Sequence, residues 1–228
     1  MTLKQIVLRH KYFYLLFGVF FLAGLGLAGY LGKGDEIRFF SEHRTAFGDA
    51  FFKLATHLGE EPAYYIIGGV FLFIRFRTAL LIALTGLVVT AVSYGLKAVF
   101  LADRPFTFFD KQGIFDQINI VEGVRLLVGP TSFPSGHTMS GFALYLFVMF
   151  HLPPRKRWAF LFFTLAALVG VSRIYLVQHF LPDVLAGAFF GVLIGTFLFY
   201  FDQKFPTNPA YWIDRSFLNW KGTKPGRA

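Results

Sequence analysis

Six ionisable side chains lie within or at the ends of the apolar stretches of this chain. They are Lys97, Arg104, His137, Arg173, His179 and Asp183. Charged groups at membrane depth are costly and are usually kept for a function. Taken singly, each has an ordinary explanation, because a lysine or arginine can extend its charge to the membrane surface and an acid can favour the start of a helix. Taken together, they supply cations, imidazoles and a carboxylate.

The spacing of these residues favours phosphoryl transfer through a histidine. His179 and Asp183 are one helical turn apart, so the carboxylate could hold one ring nitrogen and leave the other free to attack. Lys97 and Arg104 are close to two turns apart and share a face if their helix continues as far as Pro105. Three cations suit a phosphate dianion and its transition state. A second histidine can serve as a general acid.

Residues 134–137 read Pro-Ser-Gly-His, which is typical of a turn that enters a helix. Free backbone amides at such a start bind anions, and Gly136 allows a close approach. Carboxylates suited to magnesium are scarce in this set, because Asp183 is one and Asp103 is the only possible second. The chain has no cysteine, no P-loop motif and no HExxH motif. We therefore expect neither a metal nor another cofactor.

The composition indicates which elements position these residues. Of 228 residues, 55% are hydrophobic, 15% are charged and 32 are phenylalanine, which excludes a disordered chain and a conventional soluble enzyme. Apolar runs of about 20 residues can cross a hydrocarbon core about 30 Å thick. The sequence predicts an all-α, integral membrane bundle of six transmembrane helices, the first being retained because no clear signal-peptide cleavage site follows it. The six apolar segments are 12–32, 62–74, 78–96, 135–152, 158–176 and 184–201.

Basic residues are concentrated on one side of the predicted bundle. With six spans both termini share that side, together with loops 75–77 and 153–157. The positive-inside rule makes it the cytoplasmic side of the inner (plasma) membrane, so the candidate catalytic residues face the periplasm or the cell exterior. Much of the net charge of +9 therefore reports orientation, and we expect no nucleic-acid partner.

Three further segments complete a single membrane domain, 1–228. Residues 39–58 have apolar side chains at mixed helical spacing and predict an additional amphipathic helix on the outer surface. Residues 103–133 form either a lid over the site or a packed interfacial loop. Residues 202–228 predict a cytoplasmic tail that is interfacial or loosely held.

The chain resembles the type 2 phosphatidic acid phosphatase superfamily of integral membrane lipid phosphatases. The signature of that family has three parts, K-x6-RP, PSGH and SR-x5-H-x3-D. All three occur here in the same order, as Lys97 with Arg104 and Pro105, as residues 134–137, and as Ser172 and Arg173 with His179 and Asp183. The resemblance covers most of the chain and weakens in the tail.

The resemblance implies a role for each matched residue within a six-helix bundle. His179 is the expected nucleophile, which forms a phosphohistidine, and Asp183 orients it. His137 is expected to protonate the leaving alkoxide and then to activate water. The expected phosphate-binding residues are Lys97, Arg104, Ser135, Gly136, Ser172 and Arg173. No metal is implied.

The leading hypothesis is a metal-independent membrane lipid phosphatase that acts at the outer face of the membrane. Candidate substrates are phosphatidylglycerol phosphate, phosphatidic acid, undecaprenyl diphosphate and the 1-phosphate of lipid A, with membrane lipids entering between the helices. The alternative is a non-catalytic anion-binding membrane protein or transporter, which would explain the cations but not the histidines. A vanadate haloperoxidase would fit the same motifs, but those relatives are soluble. The oligomeric state stays open.

Overall fold

Helices provide the regular secondary structure of the chain in the computed structural model, which describes residues 1–208 and 210–220. These residues contain no strand, in agreement with the predicted all-α class. The α-helices of the described residues are α1 (Leu3–Arg9), α2 (Lys11–Tyr30), α3 (Asp35–Glu42), α4 (Ala46–His57), α5 (Glu61–Leu72), α6 (Phe76–Phe100), α7 (Pro105–Lys111), α8 (Gly136–Phe150), α9 (Lys156–Tyr175) and α10 (Leu181–Asp202).

Within the described residues, four helical segments are long and apolar enough to cross a membrane. They are α2, the segment Phe76–Lys111 that contains α6, α9 and α10. The other two predicted spans form shorter helices, since α5 has 12 residues and α8 has 15. At 1.5 Å per residue these helices reach about 18 and 22 Å, less than a hydrocarbon core of about 30 Å. Pro134 and Pro153 flank α8 and limit its length.

Helix α8 lies at the centre of the bundle, where almost all of its residues are buried. It packs extensively against α10, which presents Gly187 and Gly191 to it. A Cβ on either glycine would lie 2.5 Å from a backbone oxygen near the start of α8, so the glycines let the two backbones approach closely. The N–H of Ser135 also donates to the carbonyl of Asp183 at 3.0 Å. The starts of α8 and α10 are thereby held side by side.

The amphipathic helix predicted over 39–58 is instead two helices, α3 and α4. They are separated at Thr45, whose hydroxyl accepts a hydrogen bond from the N–H of Gly48 at 3.0 Å and caps α4. The preceding residue, Arg44, donates to the carbonyl of Tyr175 at 2.7 Å. Both helices pack on α9. A threonine cap and an anchored arginine thus interrupt the single helix that the apolar spacing predicted.

The tail, predicted to be interfacial or loosely held, docks onto the start of α6 over its described residues. The carboxylate of Asp214 accepts hydrogen bonds from Arg75 at 2.6 Å and from Arg77 at 2.7 Å. Phe76 packs against three aromatic rings of the tail. Residues 209 and 221–228 lie outside the described part of the chain.

Candidate active site

His179 lies in the turn between α9 and α10, and its imidazole is fully enclosed. Its Nδ1 is 3.3 Å from Oδ2 of Asp183, and its Nε2 is 3.1 Å from a guanidinium nitrogen of Arg104. A guanidinium can only donate, so Nε2 of His179 accepts this hydrogen bond. Nδ1 then carries the ring proton and donates a hydrogen bond to Asp183. The lone pair of Nε2 therefore points toward the cations.

The surroundings of His179 keep its imidazole neutral. Burial, followed by the positive charges of Arg104, Arg173 and Lys97, holds the pKa of His179 well below its ordinary value of 6.5. A nucleophile requires this neutral form, which has a free lone pair at physiological pH. The hydrogen bond from the N–H of Ser135 to the carbonyl of Asp183 holds the start of α8, which carries His137, beside the segment that carries His179.

Asp183 is held by more partners than the sequence indicated. Besides His179, its Oδ2 accepts hydrogen bonds from the hydroxyl of Ser132 at 2.5 Å and from the N–H of Phe180 at 3.0 Å. Ser132 is fully buried, and its own N–H donates to the carbonyl of Ala102 at 2.9 Å. Ser132 belongs to no recognised motif, and therefore no sequence signal marked it. It fixes the carboxylate that orients the histidine.

Arg104 reaches His179 from a loop and not from the helix that carries Lys97. Helix α6 ends just before Leu101, which adopts a left-handed conformation with φ of 45°. The condition for a shared face, a helix that continues as far as Pro105, is therefore not met, and Lys97 and Arg104 come from different segments. Arg104 caps the start of α7, and its side chain also donates to the carbonyl of Gln178 at 3.0 Å. This second contact aims the guanidinium at the histidine.

Arg173 approaches from the end of α9 and is also buried. One terminal nitrogen of its guanidinium donates to the hydroxyl of Thr56 at 2.6 Å. Its Nε has no hydrogen-bond partner among the described residues. A buried donor without an acceptor is unusual, and here it leaves Arg173 able to bind an anion.

The start of α8 offers backbone donors beside Lys97. The N–H groups of Gly136 and His137 have no acceptor within the described residues. The hydroxyl of Ser135 accepts a hydrogen bond from Thr138 at 2.8 Å, and its own hydrogen is left to donate. A Cβ on Gly136 would lie 3.9 Å from Nζ of Lys97 and 2.9 Å from a serine hydroxyl, so a glycine is needed there. The turn motif thus enters a helix as predicted, and its free N–H groups could bind an anion.

Ser172 is oriented away from this site. Its hydroxyl donates to the carbonyl of Val169 at 2.7 Å within the same helix, and the residue is fully buried. The hydrogen that was expected to bind phosphate is therefore used inside α9. We leave Ser172 out of the proposed phosphate-binding set.

His137 differs from His179 because it is partly exposed and pairs with an acid from another helix. Its Nε2 is 3.3 Å from Oε1 of Glu60, and the other oxygen of Glu60 is 2.6 Å from Nδ1 of His57. The hydrogen bond from His137 lowers the pKa of Glu60 to about 2, although burial opposes this shift. Glu60 is therefore ionised and was not among the predicted site residues.

A sequence model of the PAP2 superfamily matches residues 76–206. That range is more than half of the chain and includes every predicted site residue. The chain belongs to the PAP2 superfamily. All three motifs of this PAP2 chain contribute side chains or backbone groups to the same end of the bundle, as the distances above establish.

Known proteins similar to this PAP2 chain include lipid phosphatases. Phosphatidylglycerophosphatase B of Bacillus subtilis (strain 168) is 40% identical over 81 residues, which are 32% of this chain and 40% of that protein. The bacitracin transport permease protein BcrC of Bacillus licheniformis is 43% identical over 74 residues, which are 32% of this chain and 34% of that protein. The chain thus spans less than half the length of both relatives.

A solved structure shares the fold of this PAP2 chain. The transmembrane PAP2-type phosphatidylglycerolphosphate phosphatase of Bacillus subtilis superimposes with a TM-score of 0.61 and 24% identity. The superposition covers 88% of this chain and 97% of that chain.

A cavity of about 470 Å³ adjoins Asp183 at this end of the PAP2 bundle. Its size is in the range of ligand pockets. Its walls are mostly apolar and come from the end of α2, the start of α3, the end of α6 and the start of α10, with Lys33, Glu36 and Asp103 as further charged groups. Among the described residues, no three histidine or acidic side chains are arranged to hold a metal ion.

Proposed function

We propose that this PAP2 protein removes phosphate from a lipid phosphate or diphosphate through a phosphohistidine intermediate. The observation that carries the proposal is the state of His179, a neutral imidazole with Asp183 on one nitrogen and a cation on the other. Chemistry of this kind needs a nucleophile and electrostatic stabilisation of the phosphoryl oxygens, and the buried guanidinium of Arg173 and the start of α8 supply the latter.

The first half-reaction forms a bond between phosphorus and Nε2 of His179 and breaks the bond between phosphorus and the lipid oxygen. Arg104 moves its hydrogen bond from Nε2 to a phosphoryl oxygen, which releases the lone pair. His137 gives a proton to the leaving alkoxide. Asp183 stabilises the positive charge that develops on the imidazole of His179.

The second half-reaction reverses these roles. A water molecule attacks phosphorus and gives its proton to His137, and the bond between phosphorus and Nε2 breaks. Inorganic phosphate leaves, His179 returns to its neutral form and His137 is protonated again. His137 gives one proton to the leaving group and recovers one from water, so the proposed cycle balances and includes no metal ion.

The cavity beside Asp183 supports a lipid substrate, since its apolar walls suit an acyl or isoprenyl chain near the bilayer surface. The names of two matched proteins, a phosphatidylglycerophosphatase and a phosphatidylglycerolphosphate phosphatase, agree with this class. Phosphatidylglycerol phosphate, phosphatidic acid, undecaprenyl diphosphate and the 1-phosphate of lipid A remain the candidates.

The proposal includes six spans, with α5 and α8 as the two short ones. Both termini are then cytoplasmic, and the site opens to the periplasm or the cell exterior. The positive-inside rule supports this orientation, because basic residues dominate the opposite end of the bundle. The central position of α8 also lets it be short, since neighbouring helices and not lipid surround it.

A transporter or anion-binding protein is the alternative, and the name of BcrC describes a transport permease. Such a protein needs the cations but has no need of a neutral, carboxylate-held histidine. The phosphatase proposal accounts for both.

The test is hydrolysis by the purified full-length protein in detergent, with the four candidate lipids supplied separately and EDTA present. We expect turnover of at least one lipid, and a reduction of at least about 1,000-fold in His179→Gln, as for other covalent nucleophiles. His43→Gln is the matched control, because His43 is exposed. When the substrate carries a radiolabelled phosphate, the label should remain on the wild-type protein after the reaction is quenched in alkali.

Three results would contradict parts of this proposal. Turnover of none of the four lipids would remove the phosphatase function. Full activity in His179→Gln would remove the histidine nucleophile. Complete inhibition by EDTA, reversed by a divalent cation, would remove the metal-free mechanism.

A further inference from the structure

The turn between α4 and α5 lies directly on the start of α8. A Cβ on Gly59 would lie 2.8 Å from the backbone oxygen of His137 and 2.6 Å from a methyl carbon of Val169, so the glycine permits this contact. The hydroxyl of Tyr145 donates to the carbonyl of Leu58 at 2.8 Å and anchors the same turn. Glu60, which follows Gly59 in the same turn, is thereby brought to the ring of His137.

Glu60 holds one particular nitrogen of His137. Its Oε1 is 3.3 Å from Nε2, while Nδ1 of His137 has no partner among the described residues. When Nε2 keeps its proton and donates a hydrogen bond to the carboxylate of Glu60, Nδ1 is the nitrogen that is left to give or take a proton. Glu60 itself is fixed by His57 at 2.6 Å on its other oxygen.

We infer that Glu60 is a positioning residue that acts through His137, fixing its tautomer and supplying the negative charge that lets it serve as a proton donor. The inference rests on the proposed function, because it assigns Glu60 to the step in which His137 protonates the leaving lipid alkoxide. Glu60 lies immediately before α5 and outside the three sequence motifs.

The charge of Glu60 is needed because cations face His137 from the other elements packed around it. Arg173 comes from α9 and Lys97 from α6, and each places a positive charge near the ring. His179, from the turn before α10, is a neutral neighbour. Glu60, from the start of α5, is the carboxylate that opposes these cations at His137. Without it, the ring would lose its proton more easily as the pH rises.

The test uses Glu60→Gln, which keeps an acceptor for Nε2 but removes the charge. For an alkyl phosphate lipid we expect kcat/KM to fall about 10- to 100-fold, the size of effects seen when groups that orient a reactive residue are lost. For p-nitrophenyl phosphate, whose phenolate leaves without a proton, we expect a fall of less than about threefold. The alkaline limb of the kcat/KM profile for the lipid should move to lower pH by about one unit.

Further variants complete the design. Glu60→Asp retains the charge and should keep the wild-type position of the alkaline limb, even with a lower rate. Glu61→Gln neutralises the exposed neighbouring acid and should match the wild type. Size-exclusion elution and the thermal midpoint of each variant verify folding. Glu60→Ala, which also removes the charge and should move the alkaline limb in the same direction, carries the pH test where Glu60→Gln is unstable.

The outcomes separate this inference from the proposed function. A wild-type protein without lipid phosphatase activity would contradict the proposed function itself. An active wild type whose Glu60→Gln variant loses both substrates equally, or keeps its alkaline limb, would assign Glu60 a purely structural role and overturn the inference. Movement of the limb in Glu60→Asp by as much as in Glu60→Gln would also overturn it.

Discussion

A guanidinium nitrogen of Arg104 lies 3.1 Å from Nε2 of His179, the nitrogen that must attack phosphorus in the proposed mechanism. The same nitrogen of Arg104 is 3.0 Å from the carbonyl of Gln178, so the arginine is held over the histidine by the turn that carries it. In this arrangement the lone pair of Nε2 is covered by a donor. A phosphoryl oxygen that draws Arg104 away would bind the cation and expose the nucleophile in one movement.

Arg104→Lys tests whether phosphate binding by Arg104 and exposure of Nε2 are coupled. The variant keeps the positive charge and removes the several N–H donors of the guanidinium. A lysine cannot contact the carbonyl of Gln178, Nε2 of His179 and a phosphoryl oxygen in the same geometry. We expect kcat/KM to fall about 10- to 100-fold, as for the loss of a charge-assisted contact of about 1.5–3 kcal/mol. Arg125→Lys, at an exposed position, is the control. Equal rates for both variants would contradict the coupling.

Ser132→Ala tests the support of Asp183. The variant removes a donor 2.5 Å from Oδ2 and leaves the carboxylate with His179 and one backbone N–H. We expect kcat to fall about 10-fold or more with a smaller change in KM, because orientation of the nucleophile is affected and phosphate binding is not. Ser140→Ala removes another buried serine, which bonds to Tyr64, and should leave kcat within about twofold of the wild type. Initial rates in detergent decide between these outcomes.

The sequence predicted the contact of His179 with Asp183 and missed the residues that support the site, for a physical reason. His179 precedes the start of α10 and Asp183 lies in its first turn, four residues later, so their contact depends on local geometry that a sequence reveals. Ser132 and Glu60 reach the site from other segments, and their contacts depend on how the bundle packs. No spacing rule encodes such long-range contacts, and neither residue belongs to a recognised motif.

The departures of the fold from the predicted helices have local causes instead. The two-turn spacing of Lys97 and Arg104 predicted a shared face only for a continuous helix, and Leu101 takes a left-handed conformation that ends α6. The apolar spacing over 39–58 predicted one helix, but Thr45 caps a second one. In both cases a single residue interrupts the continuous helix that the spacing assumed.

Asp214→Asn tests the docking of the tail. The side chain of Asp214 is fully buried between Arg75 and Arg77. Its neutralisation removes the carboxylate that pairs with Arg75 and leaves Arg77 with the more distant Asp202, at 3.8 Å. The loss of one partner from a buried ion pair costs about 3–5 kcal/mol, so we expect a lower thermal midpoint in detergent. The kcat at 25 °C should change less than about twofold, because α6 separates the tail from Lys97 by about 30 Å.

The control for the tail is Asp116→Asn, at an exposed acid outside this cluster. It should leave the thermal midpoint unchanged. An Asp214→Asn protein with the wild-type midpoint would mean that the tail contributes nothing to stability. A large loss of kcat with an unchanged midpoint would connect the tail to the site instead.

His10 gives the fold a dependence on pH at the opposite end of the bundle from the site. It lies between α1 and α2, and its ring packs at 4.8 Å from that of Phe150, measured between centroids. Burial, assisted by the charge of Arg9, lowers the pKa of His10 from 6.5 to about 4. Its Nε2 has no partner among the described residues, so a proton there would be poorly accommodated.

The stability of the folded protein should therefore fall as the pH decreases from about 6.5 to about 4. In that interval the unfolded chain binds a proton at His10 that the folded chain does not, which favours unfolding. His10→Gln cannot titrate, so its thermal midpoint in detergent should decrease less than that of the wild type between pH 7 and pH 5. His43→Gln, at an exposed histidine, should follow the wild type. Parallel midpoints for His10→Gln and the wild type would contradict a buried, neutral His10.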